Sequence, residues 1–200
     1  APHGFFVAVA RPVSEWKIGR ALLAWFRTFV LLLDQRSAEP AQLGAALLAG
    51  HCAGDFAEMG ARSRIDARWR DRQVTRLNFA AWSRAIEPLQ ALSPAWQLAW
   101  QAWQTYAKKA DAQTWSQIFR LTLSTLGFPG HAQQSSAAYQ VTEALDVLLN
   151  RFADLAPVLG MVSASDAWSA LNRLARSMPF QPQRDPDARL DVLGLLEAEG

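Results

Sequence analysis

The stretch Leu190-Asp-Val-Leu-Gly-Leu-Leu-Glu-Ala-Glu-Gly200 reads as a short β-strand running into a Glu-Ala-x-Gly corner. A strand needs partners for its backbone donors and acceptors, or a protected edge. Almost everything before it reads as helix, so the strand's sheet is expected to lie largely outside these residues. The sequence also starts without an initiator Met, and the two observations together predict a piece of a longer chain. The expected fold class is mainly α: an irregular array of about eight helices with short strands near the N- and C-termini. One helical domain or fragment over 1–200 is expected, with a helical body over 13–178, a Pro-rich linker over 179–189 and the terminal strand over 190–200.

Working back from that strand, Pro179, Pro182 and Pro186 make an extended polar linker. Ser163-Ala-Ser-Asp166 starts a helix to about Ser177. Ser135 or Ser136 opens a long helix to about Leu155, with Tyr139, Ala144, Leu145, Leu148, Leu149 and Phe152 as its buried stripe. Gly127-Phe-Pro-Gly130 is a turn by composition, closing a helix that Asp111 starts and Leu126 ends. Ser93-Pro94 places Ser at an N-cap and Pro at the first helical position, and that helix carries Trp96, Trp100 and Trp103 on one face. Asn78 caps a short helix to Ile86, and Asp55 caps one reaching about Arg72 after a loop bracketed by Gly50 and Gly54. Pro40 stands in the first turn of a helix to Leu48, and Ser14 caps one to about Leu33. Phe5-Phe-Val-Ala-Val9 is β-prone and is closed by Arg11-Pro12. No internal repeat or low-complexity tract is present.

Composition narrows the classes. The 200 residues are 50% hydrophobic and 19% charged, the balance of a globular body with one core or two small lobes. A net charge of +2 does not demand a nucleic-acid partner, although a pI near 9.0 permits one. The single Cys52 forbids an internal disulfide and fits a reducing cytoplasm. The most apolar run, Ala21 to Leu33, is interrupted by Arg27 and is shorter than the roughly 20 residues of a membrane span. No signal peptide is recognisable. Nine Trp are read as core and interface material.

Catalytic motifs are missing. There is no P-loop, no Cys-x-x-Cys, no His-x-x-x-His and no Gly-x-Ser-x-Gly elbow. His51, Cys52, Asp55 and Glu58 look like a metal-ligand cluster, but acidic residues at a helix start are explained by the macrodipole, and the cap is the favoured reading. Catalytic residues, metal ligands and cofactors are all expected to be none. The segment that does carry a signal is basic: Arg62, Arg64, Arg68, Arg70, Arg72 and Arg76 crowd into residues 62–76, countered by Asp66 and Asp71. On a helix Arg64, Arg68 and Arg72 form one stripe beside the apolar pair Ile65 and Trp69. Such a stripe could hold a DNA phosphate backbone, or it could be a solvated face of weak Arg–Asp pairs. The Trp stripe likewise fits base stacking or core, with core favoured.

Several segments, in order, resemble AddB-like bacterial DNA repair proteins, which have a UvrD/RecB-type superfamily-1 helicase scaffold and a C-terminal PD-(D/E)XK nuclease. They are Arg11-Pro-Val-Ser-Glu-Trp16; Leu47-Leu48 through Asp55, with Glu58, Ala61-Arg62 and Asp66-Ala-Arg68-Trp-Arg70; Leu126-Gly-Phe-Pro-Gly130 with Ser135-Ser, Tyr139-Gln and Glu143-Ala; Phe180-Gln-Pro182; and Val192 to Ala198 with Gly200. The resemblance implies an internal helical fragment, 2A/2B-like, between the fourth and fifth helicase motifs. In working helicases the fifth motif presents a Thr, a His and a Lys. The corresponding strand here, Val192 to Gly200, holds Gly194, Leu196 and Glu199 in those places, with Gly200 keeping the turn. These residues supply no donors for phosphate, which implies a degenerate helicase scaffold, with nuclease residues beyond position 200.

The leading expectation is therefore a non-catalytic, cytoplasmic module of a DNA repair helicase/exonuclease-like protein, positioning DNA or the nuclease domain. Its partners would be DNA, the neighbouring helicase-like and nuclease domains, and a second helicase/nuclease subunit, with no membrane. The alternative is a protein–protein scaffold with no direct DNA contact.

Overall fold

The computed structural model describes residues 5–8, 10–34, 36–105, 108–130, 136–181, 183 and 190–193. In chain order the elements begin with β1 (Phe5–Ala8), β2 (Arg11–Pro12), a 3₁₀ turn (Val13–Glu15), α1 (Lys17–Asp34), β3 (Ser37–Ala38), α2 (Pro40–Ala49) and α3 (Met59–Asp71). There follow β4 (Leu77–Asn78), α4 (Phe79–Ile86), α5 (Leu92–Thr105), β5 (Lys109–Ala110) and α6 (Ala112–Thr125). The last are α7 (Ser136–Ala153), α8 (Ala156–Leu159), β6 (Val162–Ser163), α9 (Ala164–Ser177), β7 (Pro179–Phe180) and β8 (Leu190–Leu193). The fold is mainly α, as expected. Among the described residues no helix is long and apolar enough to cross a membrane.

β8 has a partner inside the chain. It runs parallel to β1, with Phe5 opposite Leu190 and Val7 opposite Val192, so one strand of its sheet lies within these residues. Parallel neighbours need a long crossover, and here the crossover is the entire helical body. Three antiparallel two-residue bridges then pin the body's loops: β2 with β7, β3 with β4, and β5 with β6. Such short bridges have no periodicity to betray them in sequence.

α1 is the axis of the core. Its buried residues, from Ile18 to Leu32, circle the helix rather than forming one stripe, as expected of a helix surrounded by others. Phe29 stacks between Trp96 and Trp103, at 4.2 and 5.1 Å between ring centroids, and Phe26 stacks on Phe119 at 4.3 Å. Trp96, Trp100 and Trp103 are thus core residues and do not present a platform for bases. Trp25, Trp82 and Trp115 are also buried, and the indole N–H groups of Trp103 and Trp115 donate to Thr122 Oγ1 and to the Val162 carbonyl.

Helix starts divide into two kinds. Asn78, Asp111 and Ser163 cap as expected, their side chains accepting from the N–H groups of Ala81, Thr114 and Asp166. At α1 and α5 tertiary contacts win. α1 begins at Lys17 after the 3₁₀ turn that contains Ser14, because Val13 N–H is bonded to Met178 O at 2.9 Å and holds the chain back. α5 begins at Leu92, one residue before Ser93; its first N–H groups are met by Glu58, whose carboxylate accepts from Ala91 N at 2.6 Å and Leu92 N at 3.3 Å. α3 begins at Met59 rather than after Asp55. Asp55 is buried beside Gly130, where any Cβ would strike its carboxylate. In α7, Tyr139 is 56% exposed instead of buried. It sits two residues before Val141, on the opposite side of the stripe Val141, Leu145, Leu148 and Phe152.

Candidate functional site

α3 carries most of the arginines singled out above, and the fold sorts them into three groups. Arg62 is fully buried. Its guanidinium donates to Cys52 Sγ at 3.0 Å, to the Ala53 carbonyl and to Glu58 Oε2 at 3.0 Å. It therefore cannot reach a phosphate on the surface, a correction to its place in the DNA-binding set. With Glu58 it ties the 52–58 turn to the start of α5. Arg70 pairs with Asp66 at 2.9 Å, and Arg76 donates to Ser37 Oγ and O, both at 2.9 Å. Arg64, Arg68 and Arg72 are exposed and make no ion pair with any described residue.

The end of α3 shapes what lies beside them. Gln73 adopts φ +51°, its N–H bonds to Arg70 O at 3.0 Å, and Val74 N–H bonds to Trp69 O at 2.9 Å. This is a Schellman closure with Gln in the position usually held by Gly. It folds Val74 back toward Trp69, and the chain continues through Leu77 into α4. α4 faces α3 with two methyl groups, Ala81 and Ala85, and the missing side-chain bulk leaves a groove of about 320 Å³. Its lining is Ile65, Trp69, Val74, Leu77, Ala81 and Ala85, rimmed by Arg68, Arg72 and Arg84. Among the described residues no carboxylate lines it. Arg84 was not singled out in the sequence, since nothing local shows that α4 folds its face against α3.

In the His51–Glu58 segment Cys52 and Glu58 accept from Arg62, and Glu58 also accepts from the start of α5. Among the described residues no group of three or more His, Cys, Asp and Glu could hold a metal ion. Burial pushes the Cys52 thiol pKa up, with Arg62 opposing that shift. His51 Nδ1 lies 3.3 Å from Pro129 O, a bond that requires the proton on Nδ1.

A second basic cleft, also unforeseen, lies between α1 and α9. It has about 530 Å³ and is lined by Arg20, Arg176, Asn172, Ser14 and Glu15. Nearby, the Arg27 guanidinium lies 4.4 Å from the centroid of Trp168, a cation–π contact. Of the helicase-motif-like strand, Val192 lies in β8; Gly194, Leu196, Glu199 and Gly200 lie outside the described residues.

No protein-family model matches the chain, and neither a curated protein nor a solved structure is significantly similar to it.

Proposed function

We propose that this chain is a non-catalytic helical module of a DNA repair protein with a helicase/exonuclease-like scaffold, and that it positions DNA or a neighbouring nuclease domain. The observation that carries the reading is the parallel pairing of β1 with β8 around the whole helical body. The ordered resemblance to AddB-like proteins implies a helical region between two helicase motifs, and a helical body bracketed by two paired strands is compatible with that. Two parallel strands are a poor independent unit, and on this reading they belong to a larger helicase-like sheet in the cytoplasm.

DNA contact would come from Arg64, Arg68 and Arg72, exposed on one stripe and ion-paired with no described carboxylate. Forked and duplex DNA should bind weakly to the domain, and binding should fall steeply with salt. Replacing all three by Ala should weaken it and flatten the slope of log K against log salt by about 0.9 per arginine. Fluorescence anisotropy titrations measure this, and unchanged affinity at about 50 mM salt, where such contacts are strongest, removes the stripe from the proposal.

One observation favours the second reading, a protein–protein scaffold. The groove that Arg68 and Arg72 border has an apolar floor, for which a phosphodiester backbone has no use.

A further inference from the structure

We infer that the groove between α3 and α4 docks an acidic, amphipathic segment of a partner protein. The segment would insert an aliphatic side chain between Ala81 and Ala85 while its carboxylates pair with Arg68, Arg72 and Arg84. This goes beyond the DNA reading: it shares Arg68 and Arg72 with it, and Arg84 and the apolar floor are its own.

Charge complementarity selects the occupant. Three guanidinium groups surround the groove, no described carboxylate lines it, and none of the three is ion-paired with a described residue. The neighbouring carboxylate of Asp66 is turned to Arg70. A guanidinium fork matches a carboxylate in two parallel hydrogen bonds, and beside an apolar floor that pairing is partly shielded from water. The floor itself requires an apolar anchor. Ile65, Trp69 and Leu77 are at most 7% exposed, so what they offer is a shallow apolar depression, of a size for one or two branched side chains. Interface energy concentrates at such an anchor ringed by charged contacts.

The same geometry disfavours a nucleobase. Stacking needs an open ring face, but Trp69 is 7% exposed and packs toward Trp82, 6.1 Å away between centroids, which is itself fully buried. The lining positions, Ile65, Arg68 and Trp69 on α3 with Arg72 at its C-cap, against Ala81, Arg84 and Ala85 on α4, run along both helices. An elongated, helical guest presenting residues at i, i+4 and i+7 fits this channel.

The test is a selection of random 14-residue displayed peptides on the folded chain, with counter-selection on Ala85→Phe. That variant fills the depression without altering charge, and its melting temperature and near-ultraviolet circular dichroism establish that it folds. The enriched peptides are expected to be net negative with apolar residues at helical spacing. A chosen peptide should bind Ala85→Phe about tenfold more weakly or worse, as expected for loss of one buried aliphatic side chain. It should also weaken on Arg84→Glu and recover there when one of its own Glu residues becomes Lys. The inference is overturned if nothing is enriched beyond the counter-selection, or if the enriched peptides are neutral or basic. It is equally overturned if Ala85→Phe abolishes self-association of the chain or binding of duplex DNA, since a second copy or DNA would then be the occupant. Arg64 does not line the groove, so Arg64→Ala probes the DNA reading alone.

Discussion

Replacing Arg62 by Met probes the most unusual side chain of the fold. Met keeps much of the aliphatic stem's packing and deletes the guanidinium. That group is fully buried and serves Cys52 Sγ, the Ala53 carbonyl and Glu58. Breaking a buried pair by removing one partner costs about 3–5 kcal/mol, because the survivor is left charged and under-bonded. Glu58 retains its hydrogen bonds from Ala91 and Leu92 and is 11% exposed, so the lower end, about 3 kcal/mol, applies. For a chain of this length that lowers the melting temperature by about 6–12 °C. The 52–58 turn should loosen with it. Cys52 is buried and its thiol pKa is raised by that burial, so alkylation of the native protein should be slow. If labelling proceeds through opening of the turn, 3 kcal/mol accelerates it by about a hundredfold. Arg64→Met, at an exposed and unpaired position, should stay within about 0.5 kcal/mol of wild type. A cycle with Glu58→Gln should show strong coupling to Arg62. A melting temperature within about 2 °C of wild type, with Cys52 still protected, would refute the buried hub. A loss of DNA affinity at unchanged stability would instead return Arg62 to the surface stripe.

Two smaller tests address local structure. Gln73→Gly should stabilise the chain by about 1 kcal/mol, since a side chain in the left-handed region costs roughly 1–2 kcal/mol and Gly returns part of that as backbone entropy; a lower denaturant midpoint would contradict the Schellman closure. The Asp111 carboxyl lies below the usual range because it accepts hydrogen bonds from Thr114. A depressed folded value means that its contribution is present above the unfolded value of about 3.9 and is lost as pH falls through the lower folded one. Asp111→Asn keeps a cap without a titrating group, so wild type should lose stability relative to it on acidification below about pH 4. A flat difference in melting temperature from about pH 6 to pH 2.5 rules this out.

Periodicity alone carried the mainly α class, the Trp96–Trp103 core face and the exposed Arg64–Arg72 stripe, because helical spacing is written in consecutive residues. The caps at Asn78, Asp111 and Ser163 were legible for the same reason: donor and acceptor lie three residues apart. Tertiary structure decided wherever the partner is distant in sequence. Glu58 caps α5 from 33 residues away, Val13 is restrained by Met178, and β8 finds β1 across the entire chain. The candidate site divides along the same line. The sequence displays Arg62 beside Arg64 as equals, yet one rotates inward to a thiol, a carbonyl and a carboxylate while the other remains in solvent. Arg84 and the alanines opposite α3 join the groove only when α4 is laid beside it. Spacing along one helix states which residues share a face; what that face meets depends on contacts between segments that no local pattern encodes.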